Sequence, residues 1–501
     1  MEYDHKQIEA KWQAIWVESK TFEVEVESGR PKFYNLCMYP YPSGALHQGH
    51  VRNYTFGDLL TRYKTMRGFN VLSPMGWDSF GLPAENAAID SGVHPRENTE
   101  SQIATMTQQI KQLGAMYDWT RELASHQQSY YRWDQWLFLQ LWDRKLAYKR
   151  EAPVNWCPKD QTVLANEQVV DGACERCGTI VEKKNLAQWF LKITDFADRL
   201  LDDLTLLDEW PDRVRTMQRN WIGKSEGARF TIDVADSEHS FEVFTTRPDT
   251  IFGMTFAVLA PEHPLVESLI AGSDTETEAR QYIDAAGRAS EIERMSEGSK
   301  TGVCTGSYAV NPVNGARVPI YIADYVLMGY GTGAIMAVPG QDQRDWDFAK
   351  KYDIDIVRTV APPEGFDGEA YVGEGTTINS GFLDGLERDN AVDAIIDWLS
   401  EKGVGERTTQ FRLRDWLISR QRYWGSPIPM VSCPECGLVP VPEDELPVIL
   451  PDIADFAPKG RSPLAALEDW VNTICPACGG TAQRETDTMD TFVDSSWYYF
   501  R

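Results

Sequence analysis

The pattern of apolar and polar positions predicts a strand, a turn, a helix and a second strand between residues 33 and 73. Residues 33–39 read as a strand, and Pro40 with the turn-forming residues after it ends the run. Apolar residues near helical spacing then occupy 51–66, as far as Gly68, a typical helix terminator. Residues 70–73 form the second strand. This order is typical of the unit that opens a nucleotide-binding sheet.

The remaining chain can be divided by the residue types it contains and by their spacing. Residues 1–30 are predicted to form an amphipathic helix followed by a short polar stretch, and residues 100–150 are predicted to be helical. In the second of these segments the pattern turns five apolar residues inward: Trp133, Trp136, Leu137, Leu141 and Leu146. From about 222 to 412 the sequence becomes rich in glycine, β-branched residues and turn signals, which predicts a separate α/β domain inserted in the chain.

Length and composition indicate a multi-domain protein of ordinary soluble character. A chain of 501 residues is expected to form about three domains. It is 42% hydrophobic and 25% charged, and its apolar runs fall short of the roughly 20 residues that cross a bilayer. The first residues carry neither a basic nor an apolar signal region. We therefore expect no membrane partner and a cytoplasmic location.

The net charge of −26 by itself argues against a polyanionic partner, because phosphate binding requires local lysine and arginine. The arginines are clustered, however. Residues 412–424 place four of them among three aromatic residues, and residues 213–219 contain three more. Net charge therefore limits non-specific binding without excluding a positive groove.

Two histidines follow the first predicted strand, in the sequence His47-Gln-Gly49-His50. At a helix N-terminus both imidazoles can reach one ligand, and the free N–H groups and the helix dipole favour phosphate there. Gly49 permits a flat base to approach the backbone closely. The structural alternative is that the two histidines cap the helix.

The segment Tyr39-Pro-Tyr-Pro-Ser-Gly-Ala-Leu-His-Gln-Gly-His resembles the HIGH signature of class I aminoacyl-tRNA synthetases, in its leucyl, bacterial form. The resemblance extends over essentially the whole chain. It continues in the motifs that begin at Gly76, Asn155, Asn220, Thr245, Gly331 and Arg414. It implies an α/β fold in which a Rossmann-type parallel sheet is interrupted by an inserted α/β editing domain and carries small zinc-ribbon modules.

The resemblance implies a first site that activates leucine with ATP and Mg²⁺ for transfer to tRNA(Leu). His47, Gly49 and His50 would bind ATP, and the two histidines would stabilise charge at the α-phosphate. Asp78 would pair with the leucine ammonium, with an ordinary turn or cap aspartate as its structural alternative. The leucine side chain would be held by Met38, Tyr39 and Tyr41.

A second site is implied in the segments 245–250 and 341–345. A hydrophobic pocket separates aliphatic amino acids that differ by one methylene by only about 1–3 kcal/mol, so a hydrolytic second sieve is required. By resemblance, Asp345 would bind the substrate ammonium and Thr250 would exclude leucine. The tRNA adenosine would be positioned by Thr246 and Arg247. The two segments also contribute Thr245 and Asp342.

Turn formation is the alternative explanation for these threonines. The family often has histidine in place of Gln341. General-base hydrolysis by that residue is therefore not expected, and a water positioned by polar groups is favoured.

Seven of the nine cysteines form two clusters, whereas Cys37 and Cys304 are isolated. The CxxC pair Cys433, Cys436, Cys475 and Cys478 predicts a structural zinc site with four thiolate ligands. The other cluster contains Cys157, Cys174 and Cys177, with Asp160 where a further cysteine could stand. Either a zinc site with a carboxylate ligand or a degenerate site fits this second pattern.

The predicted division assigns 1–150 to the N-terminal half of the catalytic domain and 151–221 to a connecting segment with the first cysteine cluster. Residues 222–412 form the editing domain, and 413–501 return to the catalytic domain with a zinc module at 431–483. The KMSKS signature is absent, so an N-terminal portion of a monomeric ligase is expected. A stand-alone editing hydrolase and a non-catalytic tRNA-binding fragment are the alternatives.

Overall fold

The described part of the molecule falls into two compact units. A computed structural model describes residues 3–26, 29–164, 168–170, 172–288, 294, 300–328, 331–366, 368–453, 455–457 and 461–501. The first unit comprises Met1–Gln168, Cys174–Lys192 and Trp416–Arg501, and the second comprises Val169–Ala173 and Ile193–Asp415. Within the described residues, no helix combines the length and apolar character that crossing a membrane requires.

The first unit starts with alternating helices and short strands. In chain order these are α1 (His5–Glu18), β1 (Lys32–Tyr34), α2 (Gln48–Met66), β2 (Asn70–Leu72), β3 (Pro74–Trp77), α3 (Leu82–Ser91), α4 (Pro95–Gln112), β4 (Asp118–Ala124) and α5 (Gln128–Asp143). Strands β1 and β2 are parallel, with Phe33 opposite Val71, and α2 connects them. The predicted β-turn-α-β unit and the α/β fold class are thus confirmed.

Two sequence expectations in this region were wrong. Residues 118–124 form β4, which pairs in parallel with β3, although the whole of 100–150 was expected to be helical. In α5 the predicted inward residues Trp133 and Trp136 are 39% and 38% exposed. The buried face of α5 carries Asp134 and Gln135, whose side chains are hydrogen-bonded. Polar residues on a buried face shift the apparent hydrophobic period.

The chain continues through five strands that carry the first cysteine cluster: β5 (Ala147–Cys157), β6 (Thr162–Leu164), β7 (Val169–Val170), β8 (Ala173–Cys174) and β9 (Glu182–Leu191). Strand β5 pairs antiparallel with β6 and β9, and β7 and β8 form a separate two-stranded sheet. Strand β5 pairs with β9 from Ala147 opposite Leu191 to Trp156 opposite Glu182. This pairing places the first and the last of these strands side by side.

The second unit contains a seven-stranded sheet with helices packed against it. Its elements are α6 (Ala197–Asp203), α7 (Asp212–Ile222), β10 (Lys224–Val234), β11 (Ser240–Thr245), β12 (Phe256–Leu259), α8 (Val266–Ile270), α9 (Glu276–Arg288), β13 (Gly302–Val310), β14 (Arg317–Ala323), β15 (Ala334–Ala337), α10 (Gln343–Lys351), α11 (Arg388–Glu401) and β16 (Gly405–Phe411). The strand order is β11-β10-β13-β14-β12-β15, with β16 also paired to β10. Its core includes Phe230, Val243, Ile320 and Ile395.

The final segment returns to the first unit. Its elements are β17 (Trp416–Leu417), β18 (Ser419–Arg420), β19 (Met430–Cys433), β20 (Gly437–Pro440), α12 (Glu468–Val471), β21 (Asn472–Ile474), β22 (Thr481–Arg484), β23 (Thr488–Met489) and α13 (Thr491–Ser495). Strand β17 joins β9, with Trp416 opposite Leu191. Strands β20-β19-β22-β21 form an antiparallel sheet that carries the second cysteine cluster.

Candidate functional sites

The first candidate site begins at the N-terminus of α2, where the two histidine rings stack with their centroids 3.8 Å apart. Nδ1 of His47 accepts a hydrogen bond from the amide of Gly49 at 3.1 Å, and the amide of His47 donates to Nδ1 of His50 at 3.3 Å. The pair therefore caps the helix. His47 nevertheless stays exposed, so an anion at the helix end could reach it.

Gly49 allows this stacked arrangement. A Cβ atom at this position would lie 2.9 Å from Cε1 and 3.0 Å from Nδ1 of His47, so a side chain would displace that ring. Burial, with a smaller contribution from His47, lowers the pKa of His50. Its imidazole is therefore neutral at neutral pH.

Asp78 lies directly after β3 and is buried. Its amide donates to the carbonyl of Pro40 at 3.1 Å, which ties it to the loop before α2. Its Oδ1 accepts a hydrogen bond from Oγ1 of Thr491 at 3.1 Å. Burial raises the pKa of Asp78 to about 7, although hydroxyl groups, those of Ser495 and Thr491 first, partly oppose the shift. A carboxyl held in this way readily accepts a cationic ligand.

The three predicted side-chain pocket residues have different environments. Tyr39 is buried, and its ring centroid lies 4.8 Å from that of Tyr498. A Cβ atom on Gly76 would lie 2.2 Å from the Tyr39 ring, so this packing requires glycine. Tyr41 is 36% exposed and Met38 is 71% exposed. Of the three, Tyr41 interacts with Asp78, Tyr39 packs against Tyr498, and Met38 is largely exposed to solvent.

Sequence reasoning missed the contribution of the last segment to this site. Thr491, Ser495 and Tyr498 contact Asp78 or Tyr39, although more than four hundred positions separate them from their partners. The spacing of residues within this apolar run carried no signal of that contact. Only the folded arrangement of α13 reveals it.

The second candidate site lies in the second unit, at the loop after β11. Arg247 forms a two-pronged ion pair with the buried Asp249, with Nε to Oδ1 at 2.9 Å and Nη2 to Oδ2 at 2.8 Å. Oγ1 of Thr245 accepts a hydrogen bond from the Arg247 amide at 3.0 Å. Thr250 is buried and donates to the Arg247 carbonyl at 2.8 Å, whereas Thr246 is exposed. The turn is thus rigidly held.

Asp345 occupies the first turn of α10 and is buried. Its Oδ2 accepts from the amide of Val338 at 2.8 Å, and its Oδ1 accepts from the hydroxyl of Tyr325 at 3.1 Å. Burial, followed by repulsion from Asp342, raises the pKa of Asp345 to about 7. Burial, the largest single effect, would also raise the pKa of Asp342, but the hydrogen bond and charge of Arg344 together with backbone hydrogen bonds from Asp345 and Arg344 lower the pKa overall.

The two segments of this site meet at one end of the sheet. Strand β12 pairs with β15, and the amide of Thr255 donates to the carbonyl of Ala337 at 3.2 Å. On the other side, Oγ1 of Thr359 donates to Oε1 of Gln341 at 2.9 Å. The same Thr359 lies beside Gly253, where a Cβ atom would be 3.0 Å from its methyl group. The fold therefore places the loop after β11 next to the start of α10.

The CxxC pair forms the first of two candidate metal centres. The four sulfur atoms of Cys433, Cys436, Cys475 and Cys478 lie within 4.8 Å of one another. Sγ of Cys433 is 3.7 Å from Sγ of Cys478, close to the roughly 3.8 Å that tetrahedral zinc with bonds of about 2.3 Å requires. Backbone amides of the Cys475 turn, that of Cys478 first, lower the pKa of Cys475 to about 7.

The ligand atoms of the other cysteine cluster also lie close together, and this cluster includes Asp160. The ligand atoms of Cys157, Asp160, Cys174 and Cys177 lie within 4.8 Å of one another. Oδ2 of Asp160 is 3.3 Å from Sγ of Cys174 and 3.4 Å from Sγ of Cys157. Three sulfurs and one carboxylate oxygen are a donor set that zinc accepts. Of the two alternatives left open by the sequence, this geometry favours the site with a carboxylate ligand.

Two family models match the chain. The model described as "Leucyl-tRNA synthetase, editing domain" matches residues 219–400, and "tRNA synthetases class I (I, L, M and V)" matches residues 11–227. A leucine–tRNA ligase from Thermotoga maritima is 56% identical over 100% of this chain and 61% of its own length. The corresponding protein from Thermosipho melanesiensis is 55% identical with the same coverage. The chain thus spans about 61% of the length of these curated relatives.

A solved structure gives the same result. A LeuRS from Agrobacterium radiobacter, crystallised as a ternary complex with tRNA and LeuAMS, superposes with a TM-score of 0.84 and 45% sequence identity. The match covers 100% of this chain and 60% of that one. The chain therefore contains a class I aminoacyl-tRNA synthetase domain at residues 11–227 and the editing domain of a leucyl-tRNA synthetase at residues 219–400.

Proposed function

We propose that this chain contributes to a leucine–tRNA ligase, which activates leucine with ATP for attachment to tRNA(Leu) and hydrolyses mischarged tRNA(Leu). One observation carries the proposal. Each unit holds a buried aspartate, Asp78 or Asp345, whose pKa burial raises to about 7. Neither forms an ion pair among the described residues. Each could therefore bind the ammonium group of the same amino acid at a different stage.

In the activation step, α2 would hold the triphosphate of ATP. The free N–H groups at its start and the imidazoles of His47 and His50, which stack at that helix end, would stabilise the negative charge that develops on the α-phosphate. The leucine carboxylate attacks that phosphorus and pyrophosphate leaves, while Asp78 holds the ammonium in position. ATP would bind as its magnesium complex. Met38, Tyr39 and Tyr41 would surround the leucine side chain.

In the proofreading step, Asp345 would bind the ammonium of the mischarged amino acid. The buried Thr250 would limit the depth of the pocket and so exclude leucine, and Thr246 and Arg247 would position the terminal adenosine. Thr245 and Asp342 support these residues through the turn and the N-cap of α10. Gln341 has no basic nitrogen, so the attacking water would be positioned by polar groups rather than deprotonated by this residue.

Zinc would be held at both cysteine clusters. Cys433, Cys436, Cys475 and Cys478 would saturate one ion, and Cys157, Asp160, Cys174 and Cys177 would saturate another. An ion with four protein ligands has no open position, so its contribution would be to stabilise the loops that carry those ligands. Further parts of the proposal are a monomeric state and a cytoplasmic location, which gel filtration and cell fractionation would test.

A stand-alone hydrolase is the second candidate function. Both proofreading segments lie within the second unit, which has its own core. ATP–pyrophosphate exchange that depends on leucine would exclude this alternative. Hydrolysis without any exchange would favour it.

The decisive experiment compares deacylation of isoleucyl-tRNA(Leu) and leucyl-tRNA(Leu) by this chain. We expect selective loss of isoleucine from the tRNA, and we expect Asp345→Ala to abolish that loss. Asp347→Ala is the matched control, because Asp347 lies on the same helix but is exposed. Equal rates for Asp345→Ala and the unmodified chain would refute the assignment of this loop.

A further inference from the structure

Two additional carboxyl groups lie beside Asp78, and neither has a role in the proposed mechanism. Asp134 on α5 and Asp494 on α13 are 0% and 1% exposed. Nε1 of Trp497 donates to Oδ1 of Asp134 at 2.8 Å. The hydroxyl of Tyr130 donates to the backbone carbonyl of Asp494 at 2.6 Å. These two hydrogen bonds hold the middle of α5 against α13 and the residues that follow it.

The remaining carboxyl oxygens of these two groups are buried without a hydrogen-bond partner among the described residues. Oδ2 of Asp134 and both carboxyl oxygens of Asp494 accept no hydrogen bond from an N–H or O–H group of the described residues. The two carboxyl groups nevertheless lie close enough to affect each other's ionisation directly. A hydrogen bond between them would need one carboxyl to be protonated, because two carboxylates have no hydrogen to donate.

The charged surroundings do not neutralise this cluster. The titratable and charged groups that face it from the neighbouring elements are Asp490, Arg420, Tyr39, Tyr41, Tyr130, Tyr498, Arg176 and Arg501. Arg420 is ion-paired with Asp490. Across the described ranges, no basic side chain forms an ion pair with Asp78, Asp134 or Asp494. Three uncompensated carboxylates this close together in the interior cannot all be ionised.

We propose that Asp134 and Asp494 share one proton and act as positioning residues for Asp78, so that an α-amino acid binding there expels a proton from the three-carboxyl cluster. This inference rests on the proposed function, because it takes Asp78 to be the ammonium-binding group. It identifies the ligand class as amino acids with a free, charged ammonium. Analogues without that charge would not expel the proton.

The order of events follows from the charges. In the empty cluster, burial raises the pKa of Asp78 and of Asp134 to about 7, so protons are held at neutral pH. The arriving ammonium favours the ionised form of Asp78, whose proton leaves to solvent. The single negative charge on the Asp134–Asp494 pair remains behind and attracts the ammonium further. As pH falls below about 7, protons compete with the ligand and affinity declines.

The test is calorimetry of leucine binding in buffers of different ionisation enthalpy, which counts the protons released. We expect release at about pH 6 that decreases toward about pH 8. Asp134→Asn and Asp494→Asn should each stay within about threefold of the original affinity, because an amide N–H can replace the shared proton. The double variant loses the negative charge, so its affinity should fall about tenfold or more and its proton release should move to lower pH.

The control is Asp143→Asn, which lies on the same helix as Asp134 but is exposed. It should match the unmodified chain in affinity and in proton release. 4-Methylpentanoate, which has no ammonium, should release no proton. Unchanged affinity and proton release in the double variant would overturn the inference while leaving the proposed function intact.

Failure to bind leucine at any pH would refute the proposed amino-acid site instead. In that case, infrared difference spectra would still show whether Asp134 and Asp494 share a proton. Subtracting the Asp494→Asn spectrum from that of the unmodified chain at about pH 8 should reveal the C=O stretch of a protonated carboxyl. Absence of that band would overturn the inference independently of any ligand.

Discussion

Asp345 should control the pH dependence of proofreading. Its pKa is raised to about 7, first by burial and then by Asp342. Because only the ionised form attracts an ammonium, we expect hydrolysis of isoleucyl-tRNA(Leu) to fall roughly tenfold per pH unit below that value. Rates across a pH series would test this. Asp345→Asn should give low rates that do not change with pH, and Asp347→Asn should follow the unmodified chain. If the rates of the unmodified chain and of Asp347→Asn did not change with pH, the assignment would be contradicted.

The same substitution should stabilise the second unit at alkaline pH. The pKa of Asp345 in the folded protein, about 7, exceeds the ordinary value of 3.8. Between these values the folded state binds the proton more tightly, so its stability decreases as pH rises through the window. We expect Asp345→Asn to raise Tm by a few degrees at about pH 8 and to have no effect near about pH 4. A lower Tm at alkaline pH would show that the carboxylate is stabilising.

A substitution at Gly49 should change ATP affinity far more than it changes the stability of the fold. Replacement by alanine favours a helix by up to about 1 kcal/mol, but displacing the His47 cap costs a similar amount, so Gly49→Ala should leave Tm nearly unchanged. Its Cβ would nevertheless displace the His47 ring. We expect ATP affinity to fall between about tenfold and about a hundredfold. Gly44→Ala is the control, because nothing lies within 4 Å of a Cβ atom there. Equal ATP affinity in both variants would show that the stacked arrangement of the histidines is not needed for nucleotide binding.

Among the elements, the two cysteine turns make the sharpest prediction about metals. We expect the purified chain to contain two zinc ions, measured by elemental analysis. Cys475→Ser should remove one ion and lower Tm, because the sheet of β19 to β22 would lose its link between turns. Asp160→Ala should remove the other ion. Asp160→Cys should retain it, since four thiolates also suit zinc.

The outcome for Asp160 decides between the two explanations of that cluster. If Asp160→Ala keeps two zinc ions, the carboxylate is not a ligand. A single zinc ion in the unmodified chain would identify the cluster at Cys157 as degenerate. Loss of both ions from Cys475→Ser alone would point to general unfolding rather than to a local site, and circular dichroism would reveal it.

The sequence predicted elements well where local chemistry determines them. The strand-turn-helix order around His47 and the two CxxC turns depend on neighbouring residues, and each is present in the structure. The phase of α5 and the strand β4 depend on distant partners. Asp134 is buried because Trp497 donates to it, and β4 exists because β3 pairs with it. Contacts of this kind leave no periodic signal in the chain.

The same limit applies to the candidate sites. His47, His50 and Asp78 could be selected from the sequence because they stand in short motifs near the first strands. Thr491 and Ser495 reach Asp78 across most of the chain, and their positions follow from the packing of α13. Whether the selected residues have the assigned roles remains a prediction that the substitutions above test.

At the scale of the whole molecule, the second unit has the properties of an insertion. In the first unit, Leu191 and Trp416 are opposite each other in neighbouring strands, so the chain leaves and returns at adjacent points. In the second unit, Thr194 donates to Asp415 through its amide at 3.2 Å and its hydroxyl at 2.7 Å. In each unit, the residues next to the two boundaries of the insertion are therefore held close together. The predicted four-part division remains a prediction, because contacts define two units.

These tied ends predict that residues 193–415 fold as an isolated fragment. Their core, which includes Phe230 and Ile320, is complete within the fragment, and β10 and β16 pair near its two ends. We expect cooperative thermal unfolding and a near-native circular dichroism spectrum. Joining Lys192 to Trp416 through a short glycine-rich turn should likewise leave the first unit folded, because β9 and β17 already pair there. A fragment that exposes its core to a hydrophobic dye would show that the second unit depends on the first, and the predicted separation of activation from proofreading would then fail.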